Sequence, residues 1–142
     1  MNLNYGPEYE DFTKEVQKFC KEYSGVIITN KKGGALTSLS SITNSDKSDG
    51  VKVSRSEWQE ILIKNGYFAR SIPKEYGGFG GDIDIIKNRI IAAEFASNRI
   101  PPPMGGQGID MLVPTLLELG TEEQKQKYIK PTLYGEMIWC QG

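Results

Sequence analysis

The 142 residues carry 17 basic and 18 acidic side chains, for a net charge of -1, and are 38% hydrophobic and 25% charged. That length suits one domain with a core of its own, and the balanced charge leaves no basic footprint for nucleic-acid phosphates. No apolar run nears the roughly 20 residues a membrane span needs, and with no histidine present these residues hold no Ser-His or Cys-His dyad and no His-ligated metal.

The opening, MNLNYGPEYED, lacks the basic and apolar regions of a secretory signal. Cys20 and Cys140 stand far apart in apolar surroundings. Both are expected to be free, buried thiols in a reducing, cytoplasmic compartment.

Pro7 to Tyr23 predicts the first helix. Proline suits the first helical position, where no N–H is required. Tyr9, Phe12, Val16, Phe19, Cys20 and Tyr23 recur at three- and four-residue spacing on one face. The opposite face mixes acids and bases, which fits an outer helix better than a membrane-surface one.

Ser24 to Val53 is different. Gly25 to Thr29 could make a short strand. The rest is small, polar and serine-rich, too poor in apolar surface to offset its chain entropy, and is expected to be a mobile surface loop. Lys31-Lys32-Gly33-Gly34 is no phosphate loop, since its lysines precede its glycines.

Ser54 to Gly66 predicts a second helix, with Ser54 and Glu57 as a capping box and Gly66 as the stop. Trp58, Ile61 and Leu62 form its apolar face. A turn follows over Ile72 to Gly78, and the GGFGG run allows positive φ or close approach without matching a dinucleotide fingerprint.

The most apolar helix comes next. Asp82 is its expected N-cap, and Ile83, Ile86, Ile90, Ala93 and Ala96 or Ser97 share one face. Ile85, Ile91, Ala92 and Phe95 widen that face beyond a stripe. Such a helix is usually buried among others, so the remaining helices are expected to pack around it, with Pro101-Pro102-Pro103 ending it.

Gly108 or Ile109 starts a further helix to Leu119, with Ile109, Leu112, Leu116 and Leu119 on one face. Pro114 should kink it or mark its first turn. Gly120 closes it. Thr121 and Gln124 form a second capping box, opening a short helix to about Ile129, and Pro131 is expected to bar its continuation. Met137 to Cys140 reads as the start of a strand with no clear partner. The fold class is therefore all-α: an orthogonal or up-down bundle of about five helices, with the start of a strand at its C-terminus.

Several stretches resemble the N-terminal helical domain of the acyl-CoA dehydrogenases. Trp58, Leu62 and Gly66 followed by Pro73-x-Glu75-Tyr76-Gly77-Gly78-x-Gly80 is similar to that family's turn. So is Gly108 followed by Pro114-Thr115-Leu116-Leu117 and Gly120-Thr121-Glu122-Glu123-Gln124-Lys125. Gly135-Glu136 and Trp139-Cys140-Gln141-Gly142 resemble its entry into the middle β domain. The opening Tyr5-Gly6-Pro7-Glu8, with Phe12 and Phe19, is similar to family N-termini. Ile72 departs from the pattern, standing where related sequences often have tryptophan.

The resemblance implies residues 1–136 as the helical domain, with 24–53 as its loop, and 137–142 as the start of the middle β domain. It implies α,β-dehydrogenation of an acyl-CoA thioester, with the hydride passing to FAD. The family's glutamate base lies much further along, so no catalytic residue can be assigned here. Carried over by position, Gln141 and Gly142 match the flavin-contacting strand. Gln107, Gly108 and Met111 match the stretch beside the acyl chain. FAD binding by this chain alone is expected to be weak or absent. The implied partners are the acyl-CoA substrate and the remaining domains or a complementary subunit, in a homo- or hetero-oligomer. The other class of function is a non-catalytic helical module that binds a partner chain through the face such a domain would cover.

Overall fold

The computed structural model describes residues 5–29 and 50–142. Most of the expected loop over residues 24–53, including Lys31 to Gly34, lies outside the described residues. The helix α1 spans Pro7–Glu22, and its buried residues, Val16, Phe19 and Cys20, belong to the expected face. The strand β1 is only Ile27–Thr29. It pairs in parallel with β2, Lys52–Ser54, a strand the sequence reading placed in the loop. Three residues are too few for a period of two to be visible in sequence.

Ser54 ends β2 and caps α2, Arg55–Lys64. Its Oγ accepts from the Glu57 N–H at 3.3 Å, and the Glu57 carboxylate accepts from the Ser54 N–H at 2.7 Å. Gly66 follows with φ 74. Beyond it the chain doubles back through a 3-10 turn, Lys74–Tyr76. Phe79, Gly80 and Gly81 donate their N–H groups to the carbonyls of Ala69, Ile72 and Arg70. A methyl group on Gly78 would collide with the Ile72 carbonyl, so this reversal requires glycine there.

The helix α3, Ile85–Ser97, corrects two expectations. Its N-cap is Asp84, whose carboxylate accepts from the Lys87 N–H at 3.0 Å, and not Asp82. Nor do the other helices surround it. Only Ile90, Ile91 and Phe95 are buried, while Ile83 and Ile85 are 80% and 70% exposed. Among the described elements it packs chiefly on α1. Alanines widened its apolar face in sequence, but Ala92, Ala93 and Ala96 are exposed. It ends at Ser97, before the prolines, with Arg99 at φ 54.

A π turn, Gly108–Leu112, runs into α4, Val113–Leu119. Pro114 lies in the first turn of α4, as one of the two expected options had it. The wider turn rotates the helix face. Val113 becomes fully buried, while Leu119, expected on the apolar face, is 79% exposed.

The helix α5, Glu122–Leu133, keeps its expected Thr121–Gln124 capping box but passes straight through Pro131. The missing N–H frees the carbonyl of Lys127, an exposed residue, where water can serve it. Continuing the helix buries Ile129, Thr132 and Leu133. Residues 137–142 form no strand. Glu136 and Met137 both donate to the Pro131 carbonyl instead.

Two cores result. Phe19 stacks on Phe95, lies edge-on to Tyr67, and neighbours Tyr23 and Trp58, with ring centroids 4.5–6.1 Å away. Ile63, Tyr76, Val113, Ile129 and Leu133 form the second. Trp58 and Leu62 belong to the first core and Ile63 to the second, so α2, not α3, is the shared wall. Among the described residues, no helix is long and apolar enough to cross a membrane.

Candidate functional site

Trp139 organises the C-terminal end. Its Nε1–H donates to Thr132 Oγ1 at 2.8 Å, and its ring meets Tyr128 edge to face with centroids 5.6 Å apart. The Thr132 hydroxyl donates in turn to the Tyr128 carbonyl at 2.6 Å, so both of its roles are filled. Gly108 lies buried against this pair. A Cβ there would stand 2.6 Å from Trp139 Cδ1 and 2.9 Å from the Thr132 methyl. Glycine at 108 is what lets the π turn rest on the tryptophan.

A groove of about 250 Å³ opens beside Trp139. Gln107, Met111 and Gln141 line it, together with Leu112, Thr115 and Cys140. Three of the five expected site residues therefore meet, and Gly108 underlies them through Trp139. Gly142 stands apart, with nothing within 4 Å of where a Cβ would be. Cys20 is buried, as expected, and burial pushes its thiol above the ordinary range. Cys140 is exposed, contrary to expectation. In this extended segment the indole takes the position against α5 and leaves the thiol outside.

A larger groove, of about 760 Å³, was not anticipated. Its apolar walls are Ile91, Phe95 and Ile100 with Pro102 and Pro103, and Arg70, Asp82 and Asn88 add polar groups. Reading α3 as central hid this groove, because it presumed that face covered. Residues 107–111 separate the two spaces. Ile109 and Asp110 line the larger groove, while Gln107 and Met111 line the smaller.

Gln59 was also unforeseen. It is 1% exposed. Its Nε2 donates to the Leu133 carbonyl at 3.0 Å, and its Oε1 accepts from the Met104 N–H at 2.9 Å. Trp58 Nε1 donates to the Pro101 carbonyl at 3.0 Å. Adjacent residues of α2 thus pin both ends of the 101–104 stretch that leads into the divide. A glutamine between Trp58 and Glu60 in a helix rich in polar residues gives no sequence signal of burial.

The shifted carboxylates are not tuned for proton abstraction. Glu122 is held below its ordinary value by hydrogen bonds from Gln126 and Tyr76, and Asp84 by the Lys87 backbone N–H. A general base working near neutrality needs the opposite direction. Tyr76 donates to Glu122 at 2.8 Å, and that bond, with burial, pushes its phenol up to about 12.

Residues 39–136 match the family model described as acyl-CoA dehydrogenase, N-terminal domain. The chain belongs to that family. The acyl-CoA dehydrogenase IpdE1 of Mycolicibacterium smegmatis is 27% identical over 128 residues, 90% of this chain and 32% of that protein. Acyl-CoA dehydrogenase FadE26 of Mycobacterium tuberculosis is 26% identical across 100% of this chain and 32% of its own length. A short-chain-specific acyl-CoA dehydrogenase of Clostridium acetobutylicum is 43% identical over 75 residues, 49% of this chain and 18% of that protein. The chain thus spans about a third of the first two relatives. The crystal structure of the ChsE4–ChsE5 complex from Mycobacterium tuberculosis shares the fold, with TM-score 0.57 and 24% identity, over 97% of this chain and 30% of that one. A mostly helical acyl-CoA dehydrogenase N-terminal domain is therefore the architecture.

Proposed function

We propose that these residues are the N-terminal wall of an FAD-dependent acyl-CoA dehydrogenase, one that oxidises an acyl-CoA thioester between its α and β carbons. The observation that carries this is the convergence of Gln107, Met111 and Gln141 on one groove at the C-terminal segment, beside a larger apolar groove.

The residues present suit the edge of a flavin rather than the whole cofactor. Met111, Leu112 and Trp139 offer apolar surface, and the amide of Gln141 offers hydrogen bonds. FAD, where bound, supplies the hydride acceptor. Gln141 would meet its ring, while Gln107 and Met111 would flank the thioester. Gly108 keeps Trp139 seated and so fixes the wall. Among the described residues no side chain is placed to take the α-proton, and that base would come from elsewhere in the enzyme. The acyl-CoA, the remaining domains or a complementary subunit, and an oligomeric assembly are the partners of this reading. Two free cysteines, one exposed, support a cytoplasmic setting.

A flavin-bleaching assay with acyl-CoA and added FAD tests it. The 142-residue chain should bind FAD weakly or not at all and show no turnover. Turnover by the pure chain would refute the assignment of the base to another segment.

Ile138 favours a second reading. It is 82% exposed beside the docked Trp139, and with Met111 and Leu119 it leaves apolar surface bare, which tends to associate. A non-catalytic module that binds a partner chain would use this face. A monomer by light scattering, independent of concentration, counts against that alternative.

A further inference from the structure

We propose that Asn65-Gly66, where α2 ends, is a self-modification site: when the last turn of α2 opens, the asparagine converts to aspartate and isoaspartate. The chemistry is independent of the thioester reading.

Asn65 is the one asparagine of the chain that a glycine follows. It is exposed, while Gly66 is buried. The reaction needs only water besides these two residues. The Gly66 nitrogen bonds to Asn65 Cγ and loses its proton. The Cγ–Nδ2 bond breaks, and Nδ2 takes up a proton and leaves as ammonia. Water then opens the cyclic imide at either of its carbonyls. Attack on one leaves aspartate; attack on the other leaves isoaspartate, with the main chain rerouted through the side-chain carbons. Glycine favours the closure because it has no Cβ to hinder its nitrogen.

The folded helix end opposes that closure. The ring needs Cβ and the Gly66 nitrogen on the same side of the Cα–C bond. At ψ -2 the Gly66 nitrogen eclipses the Asn65 nitrogen instead. Gly66 N–H donates to the Ile63 carbonyl at 3.0 Å and Tyr67 N–H to the Leu62 carbonyl at 2.8 Å, the two bonds of a Schellman stop. Asn65 Nδ2 is tied to the Ile61 carbonyl at 2.8 Å, and Arg70 Nη1 donates to the Gly66 carbonyl at 2.6 Å. Modification therefore waits on the population of open turns.

Helix α3 supplies the comparison. It also ends on an asparagine, Asn98, at ψ 6, whose Nδ2 donates to the Glu94 carbonyl at 2.7 Å. The next residue is again left-handed, Arg99 at φ 54 against Gly66 at φ 74. Ile100 N–H again reaches back into the last turn, to the Phe95 carbonyl at 2.9 Å. The two ends share one geometry, but Arg99 brings the side chain that hinders ring closure. At α2 the products matter to the fold. Isoaspartate lengthens the main chain just before Tyr67 to Ser71, which line the larger groove. Either product sets a negative charge at a helix C-terminus, against its dipole.

The test incubates the folded 142-residue chain in warm, mildly alkaline buffer. Peptide mass spectrometry follows the exchange of NH2 for OH, and a protein isoaspartyl methyltransferase with S-adenosylmethionine counts isoaspartate. Asn65 should convert and Asn98 should not. Conversion should be at least about tenfold slower than in the urea-unfolded chain, as a turn open less than roughly a tenth of the time requires. Arg70→Met removes one tie and should speed conversion about tenfold. Arg99→Gly, which the left-handed φ accepts, should make Asn98 a second site. Because Arg70→Met risks unfolding the chain, the parent is also followed in rising sub-denaturing urea, where local opening gives a shallow increase in rate ahead of global unfolding. Equal rates in the folded and unfolded chain, conversion that begins only with global unfolding, a rate unmoved in a folded Arg70→Met protein, or an Asn98 that stays intact in Arg99→Gly would each overturn the proposal.

Discussion

Replacing Gly108 by alanine tests whether the packing of the π turn on Trp139 holds the smaller groove in shape. Gly108 has ordinary negative-φ geometry, since it is absent from the positive-φ glycines. Alanine should therefore favour the helical turn by about 0.5–1 kcal/mol. Against that, the new methyl group would stand 2.6 Å from Trp139 Cδ1 and 2.9 Å from the Thr132 methyl. If the ring stays, overpacking costs about 1–3 kcal/mol. If it leaves, the Nε1–Oγ1 bond and the Tyr128 edge contact are lost, each worth roughly 0.5–1.5 kcal/mol. Either route outweighs the helical gain, for a net loss of about 1–2 kcal/mol and a fall in Tm of roughly 3–8 °C. Circular dichroism gives the Tm. Fluorescence tells the routes apart, because Trp58, 1% exposed, provides a constant buried background while a released Trp139 shifts to the red. On a Trp139→Ala background the same substitution should lose most of its cost, giving a coupling of about 1 kcal/mol. A Gly108→Ala protein as stable as the parent, with unchanged emission, would refute the reasoning.

Gln59→Leu leaves the buried Leu133 carbonyl and the half-buried Met104 N–H without partners and should cost about 1–3 kcal/mol in urea denaturation; a neutral result would show that the two groups find other partners. Val113→Ala should cost roughly 1.5–3 kcal/mol, two buried methyl groups plus a small cavity, because that residue is fully buried, whereas Leu119→Ala should change stability by no more than about 0.5 kcal/mol; equal losses would contradict the rotated register of α4. Glu122 has a folded pKa below its ordinary 4.5, so its contribution is present above pH 4.5 and disappears as pH falls through the lower folded value. The Tm advantage of the parent over Glu122→Gln should accordingly hold at neutral pH and vanish in acid, and Tyr76→Phe should shrink it; an advantage that grows toward low pH would reverse the sign and rule this out.

What could be read from the sequence was local. Ser54 with Glu57, and Thr121 with Gln124, announce their helices because a capping box is completed within four residues. Helix α1 shows its buried face because its apolar residues all pack into or against the first core. Features that depend on a distant partner were not legible. The width of the α3 face suggested burial on all sides, but only one helix lies against it, and the exposed Ile83 and Ile85 follow from that. Pro131 halts a helix in isolation. In the protein, the burial of Thr132 and Leu133 outweighs one lost hydrogen bond, so α5 continues. The π turn exists because Gly108 must sit on a tryptophan 31 positions away in sequence, and no window of a few turns contains both.

The same distinction explains why the candidate site was only half visible. Gln107, Gly108 and Met111 were placed by motif, and they do lie beside Gln141. The motif could not show that residues 107–111 stand between two grooves. Ile109 and Asp110, which the motif left unmarked, line the larger one. Gln107, Met111 and Leu112 thus face one space and Ile109 and Asp110 the other, the division into two faces that helical spacing of three and four residues produces. Any substitution that displaces residues 107–111 should disturb both grooves together, because the same turn lines both, and that shared dependence is the structural reason to treat them as parts of one site.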